Sequence, residues 1–285
     1  MRFLFSVWSL VALLAATATA KEPSAVKLWE SPAVLSVPES VIYDHATDLL
    51  IVANINGNPT EEDGNGFLSL MEPDGGIKQL EWIKGMNAPK GMGIHNRTLY
   101  VADIDRVRVI DIPSGKMFKD YPAAGAHFLN DITIADNGDV FISDYQEEDP
   151  GIYRIHLGSI YRWVGAKDLG HERPNGLWVE GQSLYVGTKS GKLLKIDRES
   201  RDVTVVVEKV GVGGIDGLMP DGNGGFITSD WEGRVYHVAP DKAVTLLFDN
   251  TRSKMNAADI WYDIPGKKIY VPGFFANKVM GYQVK

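Results

Sequence analysis

The chain has 285 residues, a formal net charge of −8 and no cysteine. Because a mildly acidic chain offers no basic face for phosphate groups, we expect no nucleic-acid partner. Without cysteine, disulfides, thiolate nucleophiles and Cys-ligated zinc are excluded, so any site must be built from oxygen and imidazole groups.

The first twenty residues, MRFLFSVWSLVALLAATATA, have the layout of a secretory signal peptide. Arg2 precedes a short apolar run, and small residues at 18–20 precede Lys21. The apolar run is too short for a typical membrane span, and an uncleaved anchor is the alternative. We expect residues 1–20 to be removed and the mature protein to be periplasmic or secreted. No later segment is apolar for long enough to span a bilayer.

Short predicted strands recur at intervals of about 40 to 50 residues in the rest of the chain. They are rich in β-branched and aromatic residues, and they follow turns rich in Gly, Asn or Asp. In chain order they are LLIVAN (49–54), TLYVAD (98–103), DVFISD (139–144), SLYVGT (183–188), GFITSD (225–230) and KIYVPG (268–273). A second alternating strand follows most of them, and no segment has a sustained helical period.

Six all-β units of this period predict a six-bladed β-propeller, in which each blade is a four-stranded sheet. A large β-sandwich, the competing all-β fold, does not predict regular spacing. The segment AVKLWE (25–30) is a spare strand ahead of the first blade. We predict that it pairs with KVMGYQV (278–284), completes the last blade and closes the ring without an open edge. Residues 21–285 then form a single propeller domain.

Polar or charged residues occupy the start of each predicted innermost strand. In a propeller these strands surround the central channel, so equivalent positions of different blades face one another at its mouth. The sequence therefore predicts that side chains far apart in the chain converge there. In blade order these residues are Glu39, Lys90, Asn130, Asn175, Asp216 and Asp259.

Four of these residues, Glu39, Asn130, Asn175 and Asp216, form a set of hard oxygen ligands. The two carboxylates match a divalent cation, without which their burial together is costly. Calcium is the first choice because it accepts mixed ligands in flexible geometry, with magnesium, manganese and zinc as alternatives. The competing interpretation is that the Asn and Asp residues cap turns between blades.

These residues lie in motifs that resemble the family of six-bladed propellers comprising regucalcin, gluconolactonase and the luciferin-regenerating enzymes. ESVIYD, FLNDI, RPNGLWV and GIDGLM are similar to motifs of that family's first, third, fourth and fifth blades. The resemblance implies that Glu39, Asn175 and Asp216 bind one divalent metal, and that Asn130 lies close to metal and substrate. It also implies hydrolysis of a lactone, in which the metal polarises the carbonyl while Asp216 is both ligand and base.

Three positions depart from the family's motifs. Phe128 stands where sugar-lactonase members have an arginine that contacts the sugar, Val41 replaces a proline, and Ile132 replaces a glycine. An aromatic residue in place of a sugar-binding cation predicts a less polar substrate, such as an aryl ester or a hydrophobic lactone. The alternative is a non-enzymatic propeller that binds a small ligand or a protein and keeps the metal as a structural plug.

Further residues are predicted at the same mouth. His127 and His171 lie three and four residues ahead of the ligand asparagines. They are candidates for a general base or a donor to substrate, and solvated loop histidines are the alternative. The acidic loops 54–66 and 145–151 are candidates for a lid, although such loops are ordinary in solvent. Apolar pocket walls, or alternatively packing between blades, are predicted for Phe128, Tyr145, Trp231 and Phe274.

Overall fold

The computed structural model describes residues 23–285, which form six four-stranded antiparallel sheets. The chain is a six-bladed β-propeller, as its repeat predicts. The predicted signal peptide, residues 1–20, lies outside the described residues. Two 3-10 turns, Thr251–Ser253 and Phe274–Ala276, interrupt the strands. No helix within the described part is long and apolar enough to cross a membrane.

Each of the first five blades uses four strands that are consecutive in the chain. Blade 1 consists of β2 (Pro38–Asp44), β3 (Leu49–Asn54), β4 (Gly66–Met71) and β5 (Ile77–Met86). Blade 2 consists of β6 (Pro89–His95), β7 (Thr98–Asp103), β8 (Arg106–Asp111) and β9 (Lys116–Pro122). Blade 3 consists of β10 (Leu129–Ile134), β11 (Val140–Asp144), β12 (Gly151–His156) and β13 (Ser159–Val164).

The remaining blades complete the ring. Blade 4 consists of β14 (Pro174–Glu180), β15 (Ser183–Thr188), β16 (Leu193–Asp197) and β17 (Val203–Val207). Blade 5 consists of β18 (Leu218–Pro220), β19 (Phe226–Ser229), β20 (Arg234–Val238) and β21 (Val244–Asp249). Blade 6 consists of β22 (Trp261–Asp263), β23 (Lys268–Gly273), β24 (Lys278–Val284) and β1 (Ala25–Glu30).

The two ends of the described chain meet in blade 6. β1 pairs antiparallel with β24, placing Ala25 opposite Val284 and Glu30 opposite Met280. This pairing confirms the prediction that the N-terminal strand completes the last blade. It also covers the edge of β24, which would otherwise present unpaired backbone groups.

The hydrophobic side chains are packed between neighbouring blades. Six clusters of buried residues lie at the six interfaces between blades. Between blades 3 and 4, for example, Phe141 and Trp163 pack with Leu177 and Val186. Burial of each such side chain stabilises the fold by roughly 1.5–3 kcal/mol. Because a blade inside the ring has neighbours on both faces, a strand such as β3 is buried along its whole length.

The innermost strands approach one another closely at glycines that follow the polar residues. A Cβ on Gly176 would clash with the backbone oxygen of Asp216, and one on Gly91 would clash with the backbone of Asn130. Neither glycine has a positive φ. Glycine is therefore needed here for close packing of backbones around the channel, and not for a turn.

Candidate functional site

One end of the channel contains a cavity of about 500 Å³, here called the mouth cavity. It is lined by five of the six residues that the repeat aligns, each from a different blade. All five are buried, with at most 8% of their surface exposed. They are Glu39, Lys90, Asn130, Asn175 and Asp216.

The sixth aligned residue, Asp259, does not line the mouth cavity. It lines a second cavity further along the channel, together with Asp131. Its carboxylate accepts a hydrogen bond from Ser40 Oγ at 2.6 Å, and its backbone N–H donates to the Glu39 carbonyl at 3.0 Å. The prediction that all six side chains meet at one mouth is therefore wrong for blade 6. The side chain and the backbone of Asp259 are both held by blade 1, through Ser40 and Glu39.

Three side-chain oxygens at the mouth cavity are buried without a hydrogen-bond donor. They are Glu39 Oε2, Asn130 Oδ1 and Asn175 Oδ1, and within residues 23–285 no other carboxylate or amide side-chain oxygen is in this state. Leaving such a group unsatisfied costs about 1–3 kcal/mol. Because all three atoms are acceptors contributed by different blades, a cation would satisfy them together. The donor set therefore fits a hard divalent ion.

The asparagines do not cap turns with these atoms. Asn175 Nδ2 donates to Asp216 Oδ1 at 3.1 Å, across the gap between blades 4 and 5. This bond fixes the orientation of the amide and leaves Asn175 Oδ1 without a donor. The side chain of Asn130 forms no hydrogen bond with the described residues. The alternative of turn capping therefore does not account for either asparagine.

Burial disfavours the charged forms of the Glu39 and Asp216 carboxylates. Burial, followed by the negative charges of Asp216 and Asp259, raises the pKa of Glu39 well above its usual value, while Lys90 opposes this shift. Burial and the charge of Asp259 raise the pKa of Asp216 to about 8, against the hydrogen bond from Asn175. A nearby divalent cation would reverse this balance because opposite charge favours ionisation.

A cation here would depend on the amide oxygens. No group of three or more His, Cys, Asp or Glu side chains in residues 23–285 is arranged to hold a metal ion. The buried carboxylates at the mouth cavity are those of Glu39 and Asp216, whereas the third carboxylate of its lining, Glu232, is exposed. Asn130 and Asn175 would supply the other protein ligands. Mixed carboxylate and amide oxygens suit calcium, whereas zinc is usually held by nitrogen and sulfur.

Aromatic side chains form two walls of the mouth cavity. Phe128 and Tyr145 of blade 3 have ring centroids 5.7 Å apart. Trp231 and Phe274, also with ring centroids 5.7 Å apart, form the second wall with Phe275. All four of the predicted wall residues therefore lie at this cavity. The rim is open to solvent, since Trp231 and Phe275 are 42% and 67% exposed.

The two histidines lie away from the mouth cavity, contrary to the prediction. Both are exposed, and neither lines the cavity. His127 immediately precedes Phe128, whose N–H donates to Asp144 Oδ1 at 3.0 Å. His171 has a φ of 63° in a turn closed by its own N–H on the Ala166 carbonyl. Their exposure agrees with the alternative of solvated loop histidines.

Several residues at the cavity had no role in the sequence-based prediction. Lys90 occupies the aligned position in blade 2, but a single lysine among oxygen ligands suggested no chemistry. The loop 54–66 contributes three residues, which supports its predicted position at the mouth without showing a lid. The additional lining residues are Ile55, Gly57, Pro59, Lys90, Lys189, Gly214, Ile215, Glu232 and Phe275.

No protein-family model matches the chain, and no curated protein matches it. Solved structures of β-propellers are similar in fold. The β-propeller domain of Cps50 (Swd1) from Myceliophteria thermophila has a TM-score of 0.59 and 13% identity, covering 88% of this chain and 97% of that one. The WD40 β-propeller domain of Doa1 has a TM-score of 0.63 and 11% identity, covering 86% of this chain and 78% of that one.

A third similar structure is the extracellular domain of the one-component system BT4673 from B. thetaiotaomicron. It has a TM-score of 0.56 and 14% identity, covering 86% of this chain and 33% of that one. Identities this low concern the fold alone, because propellers carry many unrelated functions. The comparisons thus establish a β-propeller with WD40-like neighbours, and the function has to be argued from the mouth cavity.

Proposed function

We propose that this protein is an exported hydrolase of lactones or aryl esters that depends on a divalent cation, preferably calcium. The observation that carries the proposal is the set of three buried oxygens without donors, from Glu39, Asn130 and Asn175. They share one cavity with the buried carboxylate of Asp216. A calcium ion is the ligand whose chemistry satisfies this set most completely.

The residues of the cavity divide into those that hold the cation and those that act on substrate. When bound, a divalent cation polarises a carbonyl and lowers the pKa of water. Glu39, Asn130, Asn175 and Asp216 would hold it, and Asn175 also orients Asp216 through its amide N–H. Asp216 Oδ2 forms no hydrogen bond with the described residues, so this atom is free to accept a proton from water as a general base.

The aromatic walls support a substrate of low polarity. A volume of about 500 Å³ is ordinary for a small-molecule pocket. Phe128 and Tyr145 offer ring faces on one side, and Phe274 with Trp231 offers them on the other. The buried polar side chains of the cavity are those at the starts of the innermost strands. This arrangement suits an aryl ester or a hydrophobic lactone whose reacting carbonyl lies next to those polar atoms.

The proposal is tested by assaying the purified, calcium-loaded protein on a panel of neutral lactones and aryl esters. We expect turnover that falls at least about 100-fold in a chelator and in Asp216→Ala, because both remove the activated water. Turnover that is unchanged by either would contradict the proposed role of the mouth cavity.

A second candidate function is binding without turnover. The exposed rings of Trp231 and Phe275 at the rim favour it, since aromatic side chains at a rim suit a ligand or protein contact. In that case calcium would bind and stabilise the protein, but no member of the panel would be hydrolysed. The same assay therefore separates the two candidates.

A further inference from the structure

Lys90 is a charged group of the mouth cavity to which the proposed hydrolysis assigns no role. It lies on β6 and is 1% exposed. Its Nζ donates to the Ala88 carbonyl at 2.9 Å and lies 4.8 Å from the centroid of the Phe128 ring. Within residues 23–285 the ammonium forms no direct ion pair, so its remaining N–H groups have no protein acceptor.

Once the cation is present, this ammonium is the buried positive charge of the mouth cavity that has no direct partner. The buried carboxylates of Glu39 and Asp216 together match one divalent ion, and the exposed Glu232 and Lys189 of the lining are opposite in sign. The other buried carboxylates nearby have partners of their own, since Asp103 pairs with Arg108 and Asp259 accepts from Ser40. An uncompensated buried charge is costly, and it is stabilised by an opposite charge with good hydrogen-bond geometry. Burial also lowers the pKa of Lys90 to about 8, which reflects the same cost. A single negative charge on the ligand would restore the balance.

We propose that Lys90 binds a carboxylate of the ligand, so that the mouth cavity takes small apolar molecules bearing one carboxylate. The inference rests on the proposed function, because the cation at Glu39 and Asp216 is what leaves Lys90 unbalanced. The adjacent Phe128 ring would contact the apolar body of the same molecule. The cavity therefore has a positively charged side chain although position 128 is aromatic, because Lys90 of blade 2 lies over the Phe128 ring of blade 3.

Two sources supply such a carboxylate in a hydrolase. It is either a permanent group of the substrate or the acid that ester or lactone hydrolysis releases, in which water adds to the carbonyl carbon and the ring or ester C–O bond breaks. Both place a carboxylate on an apolar body within reach of the ammonium. Binding of a simple aryl acid therefore tests the shared chemistry directly, whichever source applies.

The test compares 3-phenylpropanoate with its neutral analogue 3-phenylpropanamide by titration calorimetry in saturating calcium. We expect the wild type to prefer the carboxylate, and we expect Lys90→Met to reduce this preference at least about tenfold. Lys116→Met is the matched control, because Lys116 is an exposed lysine on β9 that does not line the mouth cavity. Its preference should match that of the wild type.

The calcium-dependent rise in Tm shows whether each variant folds and retains the cation. Lys90→Gln, which keeps a donor for the Ala88 carbonyl, replaces Lys90→Met if the latter does not fold. A preference within twofold of the wild type in the folded Lys90 variant overturns the inference alone. Absence of calcium binding in the wild type contradicts the proposed function and this inference with it.

The source of the carboxylate is resolved by kinetics on 4-acetoxybenzoate, which carries a permanent carboxylate, and on the neutral ester methyl 3-phenylpropanoate, whose hydrolysis releases 3-phenylpropanoate and methanol. If the substrate carries the carboxylate, Lys90→Met raises KM about tenfold for the charged ester and little for the neutral one. If the product carries it, the variant instead raises the inhibition constant of the released acid. Either shift supports Lys90 as the anion-binding residue, whereas unchanged KM and inhibition constants contradict it.

Discussion

At the scale of single residues, the mouth cavity holds polar groups that the fold itself does not use. The side chain of Asn130 is 4% exposed, and its Oδ1 lacks a donor. In a cation-free protein this side chain contributes only the cost of removing an amide from water. Its presence therefore favours a function in ligand binding over a function in stability.

Replacing Asn130 by Leu should stabilise the cation-free protein and weaken calcium binding. We expect its Tm in chelator to rise by about 2–4 °C, because an unsatisfied buried oxygen is removed while volume is kept. Its calcium Kd should rise at least about tenfold. The measurement is a thermal melt with and without calcium, supported by titration calorimetry.

Asn256→Leu is the matched control. Asn256 is also buried, at 8% exposed, but its side-chain N–H donates to the Trp231 carbonyl at 2.9 Å. This variant should lower the Tm and leave the calcium Kd unchanged. A lower cation-free Tm for Asn130→Leu would show that Asn130 has a structural partner instead.

The raised pKa values of the mouth carboxylates predict how stability depends on pH. Because the pKa of Asp216 is raised to about 8, the folded cation-free protein binds more protons than the unfolded chain between about pH 4 and pH 8. The free energy of unfolding should therefore fall as the pH rises through this range. Glu39, whose pKa is also raised, adds to the same trend.

Urea unfolding in chelator at several pH values between 5 and 8 measures this effect, in the wild type and in Asp216→Asn. We expect a smaller loss of stability with pH in the variant, because an amide does not ionise. Saturating calcium should flatten the wild-type dependence, since the cation balances the ionised carboxylates. Identical pH dependence in the wild type and the variant would contradict a raised pKa for the buried Asp216 carboxyl.

At the scale of elements, glycines at the innermost strands set the spacing between site residues. Gly176 follows Asn175 directly, and a Cβ there would meet the Leu218 backbone nitrogen at 3.0 Å and clash with the Asp216 oxygen. Gly176→Ala should push β14 away from blade 5 and lengthen the bond between Asn175 and Asp216. We expect calcium affinity to fall at least about tenfold although every ligand is retained.

Gly76→Ala is the control for this substitution, because a Cβ at Gly76 approaches only side-chain atoms, at 3.3 Å and beyond. Titration with calcium should give the wild-type Kd for this variant. Normal calcium binding by Gly176→Ala would show that the close approach of blades 4 and 5 does not position Asn175 and Asp216.

The second strand of each blade was predictable from sequence because it is short, apolar and flanked by turn residues. The six segments match β3, β7, β11, β15, β19 and β23. The innermost strand of blade 6 was harder to predict. It has only three residues, and Asp259 precedes it, tied to Ser40 of the neighbouring blade. A contact between blades of this kind leaves no local pattern in the sequence.

At the scale of the whole molecule, ring closure explains why distant residues meet. β1 and β24 fix the ends of the described chain in one sheet, so each of the six blades has two neighbours. The repeat then predicts which residues occupy equivalent positions, and five of the six lie at the mouth cavity. The depth of each side chain in the channel is set by packing between blades. For this reason the position of Lys90 over Phe128 and the exposure of His127 required the structure.

The central claim is that the mouth cavity is a calcium site whose charge balance requires Asp216. It is tested most directly by thermal melts of the wild type, Asp216→Ala and Asp221→Asn in calcium and in chelator. Asp221 is the matched acid of the same blade, and its Oδ1 accepts from the N–H groups of Asn223 and Gly225 in a turn, a role that Asn can keep.

A ligand that binds only the folded state must raise the Tm. We predict a calcium-dependent rise in the wild type and in Asp221→Asn, and none in Asp216→Ala, which should still unfold cooperatively. A wild type whose Tm is the same in calcium and in chelator, with no metal found in the purified protein, would contradict the account.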